Sequence, residues 1–356
     1  MADDMESWQW QLAHRITTVD ELSKHITLTE EEKADIGQSL SLFRMAITPY
    51  YASLMDKDDP RCPIRMQMIP SAEERIRGKF DLDDPLGEIK YNPAPNVVRR
   101  YPDRALLLIT MQCAAYCRHC TRRRVVGSTD CTISQEQLKQ ALDYIEKTTE
   151  IRDVLISGGD PFILPTGELE SIIAKVRAIK HVEIIRIGTR VPVVLPMRID
   201  SELTDMLKKY HPIWVNTHFN HPKELTQEAM EACEKLADAG IPVGNQTVLL
   251  KGVNDNAETL KKLFLGLVRH RVRPYYLFQC DLSVGISHFR TPVDKGIEIM
   301  HSLTSSISGY AVPKYAIDLP AGGGKVTLGY DYVVSKEDTE LVLENYLGKL
   351  YRYPAK

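Results

Sequence analysis

Short runs of apolar and β-branched residues alternate with longer amphipathic stretches between residues 105 and 308. The stretch SQEQLKQALDYIEKTT, residues 134–149, has apolar residues at helical spacing, whereas the short runs have the length and composition of buried strands. Regular alternation of strand and helix predicts a parallel sheet with right-handed crossovers. The expected strands are ALLLIT, DVLIS, VEIIRIG, IWVNTHF, VGNQTVLL and VRPYYLFQ.

Six β/α units are two fewer than a closed eight-stranded barrel contains, so the pattern allows a partial barrel or an open doubly wound sheet. In either fold, functional residues lie at the C-terminal ends of the strands. The segment before the first strand predicts a helical extension, with a capping box at Thr29 and Glu32. The end of the chain changes to a mixed strand and turn pattern. We therefore divide the chain into an N-terminal helical extension at 1–95, a barrel core at 96–308 and a C-terminal α+β extension at 309–356.

Composition narrows the possible function classes. Of the 356 residues, 43% are hydrophobic and 26% are charged, as expected for a folded enzyme and not for a disordered or membrane chain. The formal net charge of −3 gives no electrostatic reason to expect a nucleic-acid partner. The start, MADDMESWQW, lacks the pattern of a signal peptide, and no apolar run reaches the roughly 18 residues of a membrane span. We expect a cytoplasmic protein with no membrane partner.

Cys113, Cys117 and Cys120 follow the first predicted strand at CxxxCxxC spacing, within MQCAAYCRHCTRRR. Cytoplasmic thiols stay reduced, which favours a metal or redox site over a disulfide framework. A structural zinc site usually needs four ligands, and the remaining cysteines are scattered along the chain. Three thiolates suit a [4Fe–4S] cluster with one iron open to another ligand. Three thiols without a common ligand are the alternative interpretation.

The cysteine motif, with Tyr116 just before its second cysteine, resembles that of the radical S-adenosylmethionine (SAM) enzymes. ISGGDP, residues 156–161, resembles the glycine-rich stretch that meets the methionyl amino group in that superfamily. Further segments make residues 95–330 similar to the lysine 2,3-aminomutase family: RYPDRALLLITMQCAAYCRHCTRRR, NTHFNHP, GNQTVLLKGVND, RPYYLFQCDLSVGISHFRTP and GGGK. The resemblance implies an α/β fold, a partial (β/α)6 barrel of the radical SAM type.

The AGGGKV segment, residues 321–326, lacks the spacing of a phosphate-binding P-loop. Its glycines allow a planar group to approach the backbone, and Lys325 offers an amine for a Schiff base. In isolation the segment would be better interpreted as a surface turn with a solvated lysine. With the family resemblance, we expect Lys325 to be the catalytic lysine that binds pyridoxal 5′-phosphate (PLP).

The resemblance also implies the other site residues. Metal ligands are Cys113, Cys117 and Cys120. The PLP phosphate is bound by Arg100 and Arg104, with Tyr101 close by. Further SAM or cofactor contacts are His119, Ser157, Gly158, Gly159, Asp160, His218 and Gln246. The substrate α-carboxylate is bound by Arg122 and its distant ammonium group by Asp281 and Asp318.

The implied activity is an isomerisation of L-lysine to L-β-lysine (3,6-diaminohexanoate), in which the amino group moves from C2 to C3. The alternatives are a glutamate 2,3-aminomutase, an elongation factor P-linked enzyme that forms β-lysine and, from another class, an iron–sulfur electron carrier or sensor. The implied partners are an electron donor such as flavodoxin or ferredoxin and further copies of the chain in a homo-oligomer. Longer family members bind zinc through a cysteine-rich C-terminal segment, and this chain has no cysteine after Cys280, so zinc is doubtful.

Overall fold

The computed structural model describes residues 7–127 and 131–355. Within these residues a nine-stranded sheet runs in the order of the chain, from β1 to β9. Its strands are β1 Val97–Tyr101, β2 Arg104–Thr110, β3 Asp153–Gly158, β4 Ile184–Gly188, β5 Ile213–Thr217, β6 Val243–Leu249, β7 Val272–Gln279, β8 Lys314–Leu319 and β9 Gly324–Leu328.

Strands β2 to β8 pair in parallel, whereas β1 and β9 pair antiparallel with their neighbours at the two ends of the sheet. The six strands predicted from the sequence correspond to β2 through β7, and the predicted fold class is confirmed. Strand β8 adds a parallel strand that the sequence pattern had assigned to the C-terminal extension. The sheet therefore continues across residue 308, and the division of the chain at this position stays a prediction.

Helices connect the strands and form the N-terminal extension. The extension contains α1 Trp8–Ala13, α2 Val19–Leu22, α3 Glu30–Ser39, α4 Pro49–Ser53 and α5 Pro63–Met68. The barrel contains α6 Gln135–Lys147, α7 Thr166–Ala178, α8 Val191–Val194, α9 Ser201–Lys208, α10 Gln227–Asp238, α11 Ala257–Arg269 and α12 Val293–Ser306. The capping box predicted at Thr29 and Glu32 begins α3, and a second one at Ser134 and Gln137 begins α6. In the described residues, no helix has the length and apolarity to cross a membrane.

Alternation along the strands separates the core from the site. Val154 and Ile156 of β3 are fully buried in the main hydrophobic cluster, as are Ile185 and Ile187 of β4. The residues between them face the other side of the sheet, because successive side chains in a strand point to opposite faces. This second face of the sheet lines a cavity.

The remaining strands form a small antiparallel sheet near the C-terminus. They are β10 Val333–Lys336, β11 Glu340–Glu344 and β12 Leu350–Pro354, and they pair in that order. This sheet follows β9 in the chain, so Lys325 lies on the last strand of the nine-stranded sheet, just before the small sheet begins.

Candidate active site

A cavity of about 610 Å³ lies where the parallel strands of the barrel end. Every residue predicted from the sequence as a site residue, from Arg100 to Lys325, lines this one cavity. The fold thus brings the three cysteines and the lysine together although more than 200 residues separate them in the sequence. The individual role of each residue stays a prediction.

The cysteine loop, residues 111–124, packs backbone to backbone against the end of β3. The amide of Gly159 donates to the carbonyl of Thr110 at 2.6 Å, and the amide of Asp160 donates to the carbonyl of Gln112 at 2.7 Å. A Cβ atom at Gly159 would lie 2.0 Å from the Gln112 oxygen. Glycine is therefore required here because no side chain fits between the two segments.

The three cysteines are free thiols in a mostly buried position. Burial raises the pKa of the Cys113 thiol and raises that of Cys120 to about 11, and the neighbouring cysteines add to both shifts. A guanidinium nitrogen of Arg190 donates to the Cys117 sulfur at 2.7 Å. Thiolates at this site therefore require a positive partner, as iron would supply. In the described part of the chain, no three His, Cys, Asp or Glu residues are arranged to hold a single metal ion.

Arg190, just after β4, was not predicted from the sequence. Its guanidinium also donates to Gln67 at 2.6 Å and to Glu224 at 2.8 Å, and both of these partners are fully buried. Arg190 thereby connects the cysteine loop with α5 of the N-terminal extension. Its position at a strand end in the parallel sheet was the signal that could have identified it.

His119 and His218 lie next to each other in the wall of the cavity. Their Nε2 atoms are 3.1 Å apart, and the Asn220 side chain lies within 3.3 Å of both. Burial lowers the pKa of both imidazoles well below the usual value, with Arg190 adding to the shift, so both rings are neutral. The pair can exchange hydrogen bonds with a polar ligand without adding charge.

Asp160 accepts hydrogen bonds within the protein. Its carboxylate binds the hydroxyl of Thr189 at 2.6 Å, the amide of Arg190 at 2.6 Å and the amide of Phe162 at 3.1 Å. Burial raises its pKa to about 6 although these hydrogen bonds act in the opposite direction. The structure thus shows Asp160 joining the ends of β3 and β4.

Lys325 presents its amine to the cavity on β9. The amine donates to both carboxylate oxygens of Asp318 at 2.8 and 2.9 Å, and Arg100 donates to the same carboxylate at 2.8 Å. The hydroxyl of Tyr101 accepts a hydrogen bond from the Lys325 amide at 2.9 Å. The amine also lies 4.7 Å from the centre of the Phe278 ring. The Lys325 amine thus lies near aromatic rings, which can pack against a planar cofactor, and near an arginine, which can bind an anionic group of that cofactor.

Two arginines lie beside the lysine. The guanidinium carbons of Arg100 and Arg104 are 5.1 and 4.2 Å from the centre of the Tyr101 ring. Arginine binds phosphate through several donors at once. This pair therefore offers a phosphate site adjacent to Lys325.

Asp281 follows β7, and its side chain faces the same cavity. Burial raises its pKa to about 7, and the nearby Asp318 carboxylate adds to the shift, whereas Lys325 and Arg100 oppose it. Among the described residues, its carboxylate has no hydrogen bond or ion pair in the structure. A buried carboxylate of this kind is able to bind a cation.

Arg122 lies in the cysteine loop and also lines the cavity. Its Nε donates to the Glu88 carboxylate at 2.7 Å, and its Nη1 is 3.4 Å from the carbonyl oxygen of Gly158. Glu88 was not among the residues predicted from the sequence. Because it lies outside the barrel strands in a segment without regular spacing, no sequence pattern pointed to it.

Two family models match this chain, one described as Radical SAM superfamily over residues 107–264 and one described as Lysine-2,3-aminomutase over residues 300–356. The L-lysine 2,3-aminomutase of Fusobacterium nucleatum is 54% identical over 351 residues, which cover 99% of this chain and 83% of that protein. The chain belongs to the lysine 2,3-aminomutase family. As a member it is an isomerase, and its cofactors are a [4Fe–4S] cluster, SAM and PLP.

Other members of the lysine 2,3-aminomutase family are similarly close. The L-lysine 2,3-aminomutase of Clostridium subterminale is 54% identical over 98% of this chain and 84% of that protein. The glutamate 2,3-aminomutase of Clostridioides difficile is 47% identical over 98% of this chain and 83% of that protein. Family membership therefore fixes the reaction more firmly than the substrate.

The residues in the cavity fit the cofactors of the lysine 2,3-aminomutase family. Three cysteine sulfurs and no other free thiol line it within the described chain, and Arg190 already compensates charge at one of them. The Thr217 hydroxyl and the His119 Nδ1 are buried without a hydrogen-bond partner and lie at the wall of the same cavity. Buried polar atoms without partners indicate a place where a polar ligand binds.

Proposed function

We propose that this protein converts L-lysine into L-β-lysine. One observation carries the proposal: one cavity at the strand ends is lined by the three cysteines, the Lys325 amine, Arg100, Arg104, Arg122, Asp281 and Asp318. This combination provides ligands for a cluster, an anchor for PLP and groups for both charged ends of lysine. A simple iron–sulfur electron carrier would require only the cysteines.

The chain's own residues divide the work of binding. Cys113, Cys117 and Cys120 hold the cluster, and Lys325 with Arg100 and Arg104 holds PLP. When bound, the cluster with SAM would supply radical chemistry and PLP would supply a carbonyl group for covalent attachment of the substrate amine.

Binding of lysine needs one positive and one negative region. Arg122 binds the α-carboxylate, because a guanidinium matches a carboxylate with two parallel donors. Asp281 binds the side-chain ammonium, and Asp318 adds a second negative charge close to it. The position of Asp318 between Lys325 and Arg100 supports a further role as their counter-ion in the protein without substrate.

The substrate preference follows from the same charges. The carboxylate of a glutamate side chain would meet Asp281 and Asp318, and two like charges in a buried cavity repel each other. We therefore expect lysine to be the preferred substrate although a glutamate-specific enzyme is a relative of this chain.

The experiment is anaerobic incubation of the reconstituted enzyme with equal concentrations of lysine and glutamate, SAM and dithionite, followed by quantification of both β-amino acids. The expected result is β-lysine as the main product. The Asp281→Asn variant is the matched control and should lose this preference. Faster formation of β-glutamate by the wild-type enzyme would overturn the substrate assignment.

Several properties of the protein accompany this proposal. The cluster needs a one-electron donor, and a flavodoxin or ferredoxin has the required chemistry. We infer a cytoplasmic enzyme that assembles as a homo-oligomer, built from the three segments 1–95, 96–308 and 309–356. The elongation factor P-linked alternative shares this chemistry and differs in the destination of the product, which is delivered to a protein.

A further inference from the structure

Glu88 lies at the edge of the cavity and contacts the arginine assigned to the substrate carboxylate. Only 7% of its surface is exposed, and each of its carboxylate oxygens binds a different arginine. Oε1 accepts from Nε of Arg122 at 2.7 Å, and Oε2 accepts from Nη2 of Arg124 at 3.1 Å. Arg122 lines the cavity together with Glu88, whereas Arg124 does not.

The backbone around Glu88 is fixed from two sides. The Asp84 carboxylate accepts hydrogen bonds from the amides of Glu88 and Ile89 at 3.0 and 2.8 Å. The carbonyl of Pro85 accepts from the amide of Ala321, in the glycine-rich loop before Lys325, at 3.0 Å. Glu88 is therefore held in place by contacts that do not involve Arg122.

The geometry of the Arg122 guanidinium suggests what this fixed carboxylate does. A guanidinium binds a carboxylate with two parallel donors, either through its two Nη atoms or through Nε and one Nη. Glu88 occupies Nε, which removes the second of these modes. The two terminal nitrogens stay available, since among the described residues their only hydrogen bond is the long one of 3.4 Å from Nη1 to the Gly158 carbonyl.

We propose that Glu88 is a positioning residue for substrate recognition: it fixes the Nε edge of Arg122 and directs the terminal nitrogens to the α-carboxylate of the amino acid. This inference rests on the proposed function, in which Arg122 binds that carboxylate. If Glu88 has this role, it contributes to the binding of lysine but not to the binding of a diamine, which has no carboxylate. The opposite role would be competition, with Glu88 occupying Arg122 until the substrate displaces it.

The test uses holoenzyme and two ligands, L-lysine and 1,5-diaminopentane, which is lysine without its carboxylate. Dissociation constants are measured from the change in cofactor absorbance when each amine is titrated without a reductant. In Glu88→Gln, the amide keeps the size of the side chain but loses its charge. Lysine should bind about 10-fold more weakly, because the neutral amide oxygen still accepts from Nε but holds the guanidinium less strongly than a carboxylate does. Binding of 1,5-diaminopentane should be unchanged.

Arg124→Gln is the matched control. It removes the other arginine of Glu88 and should leave the affinity for both ligands within about threefold, because Arg124 does not contact the cavity. Equal weakening of both ligands in Glu88→Gln would show a merely structural role and overturn the proposal. Unchanged or tighter lysine binding would also overturn it, since tighter binding indicates competition.

A further variant separates this inference from the proposed function. Arg122→Gln should abolish the preference for lysine over 1,5-diaminopentane. If the preference survives in Arg122→Gln, the assignment of Arg122 to the substrate carboxylate is wrong and the inference falls with it. If Arg122→Gln loses the preference and Glu88→Gln keeps it, only the role of Glu88 is wrong.

Discussion

We expect Asp281 to make binding of the substrate's side-chain ammonium group depend on pH. Its pKa of about 7 means that the carboxylate is largely protonated below neutral pH, chiefly because burial disfavours the charged form. The ammonium of a lysine side chain stays protonated up to about pH 10. The attraction between them therefore appears as pH rises through 7 and disappears as pH falls.

The measurable quantity is the ratio of the affinities for lysine and norleucine, which lacks the side-chain ammonium group. We predict that this ratio rises between about pH 6 and pH 8 and then levels off, because only lysine uses the ionised Asp281. Asp281→Asn should give a ratio that is low and independent of pH. A wild-type ratio that is constant across this range would contradict the role of Asp281.

Single residues also show where sequence reasoning was effective. Lys325 and the three cysteines lie in short segments, and their roles could be predicted from residue spacing and from family resemblance. Glu88 and Arg190 contact these residues only through the folded chain. Glu88 and Arg122 are 34 positions apart in the sequence, and no periodic signal in this interval would pair them.

At the scale of elements, the contact between β3 and the cysteine loop fixes the geometry of the cluster ligands. A methyl group at Gly159 would collide with the Gln112 carbonyl. The carbonyl belongs to the backbone and cannot rotate away as a flexible side chain could. We predict that Gly159→Ala displaces the cysteine loop, lowers the iron content after reconstitution and destabilises the protein by about 1–3 kcal/mol, the usual cost of overpacking.

Gly167 provides the matched control for Gly159→Ala. It lies in α7, where an added Cβ would meet nothing within 4 Å. Gly167→Ala should leave iron content unchanged and stabilise the helix by up to about 1 kcal/mol. Iron analysis and urea unfolding compare the two variants. A normal iron content in Gly159→Ala would show that this contact does not position the ligands.

Helices and strands were predicted correctly where the hydrophobic periodicity and the length of a segment indicated the same type of element. Strands β2 to β7 and helix α6 were found because alternation of buried strands and amphipathic helices leaves a clear pattern. Strands β1 and β9 pair antiparallel at the ends of the sheet, and β8 follows a region where the regular alternation stops. Their membership in the sheet depends on tertiary pairing, which no local pattern encodes.

At the scale of the whole molecule, the N-terminal extension is joined to the cysteine loop by buried charge. Glu74 is fully buried and receives hydrogen bonds from Arg118 at 2.6 and 2.8 Å and from Arg123. Although burial acts to raise the pKa of Glu74, the two arginines hold it below the ordinary value of 4.5. The extension is thus part of the scaffold that supports the cluster ligands.

We predict that Glu74→Gln destabilises the protein by about 3–5 kcal/mol, because it leaves two buried guanidinium groups without their charge partner. The stabilisation by Glu74 is present above pH 4.5 and is lost as pH falls through its depressed pKa, so wild type and variant should converge in acid. Urea unfolding at several pH values measures the difference. Glu183→Gln, which removes an exposed partner of Arg152, is the control and should have little effect.

A pH-independent and small difference between wild type and Glu74→Gln would contradict this account of the extension. It would mean that the buried ion pairs contribute no more than surface pairs do, and that packing alone joins the extension to the barrel.

The proposed reaction moves the amino group of lysine from C2 to the adjacent carbon, C3. The most direct measurement is the fate of nitrogen in L-lysine labelled with ¹⁵N at the α-amino group. The label is followed by NMR after anaerobic turnover by enzyme with verified iron and PLP content. We expect the product to be β-lysine with the ¹⁵N label on C3. Recovery of the label only on C2, or a product in which the label has been lost to solvent, would contradict it.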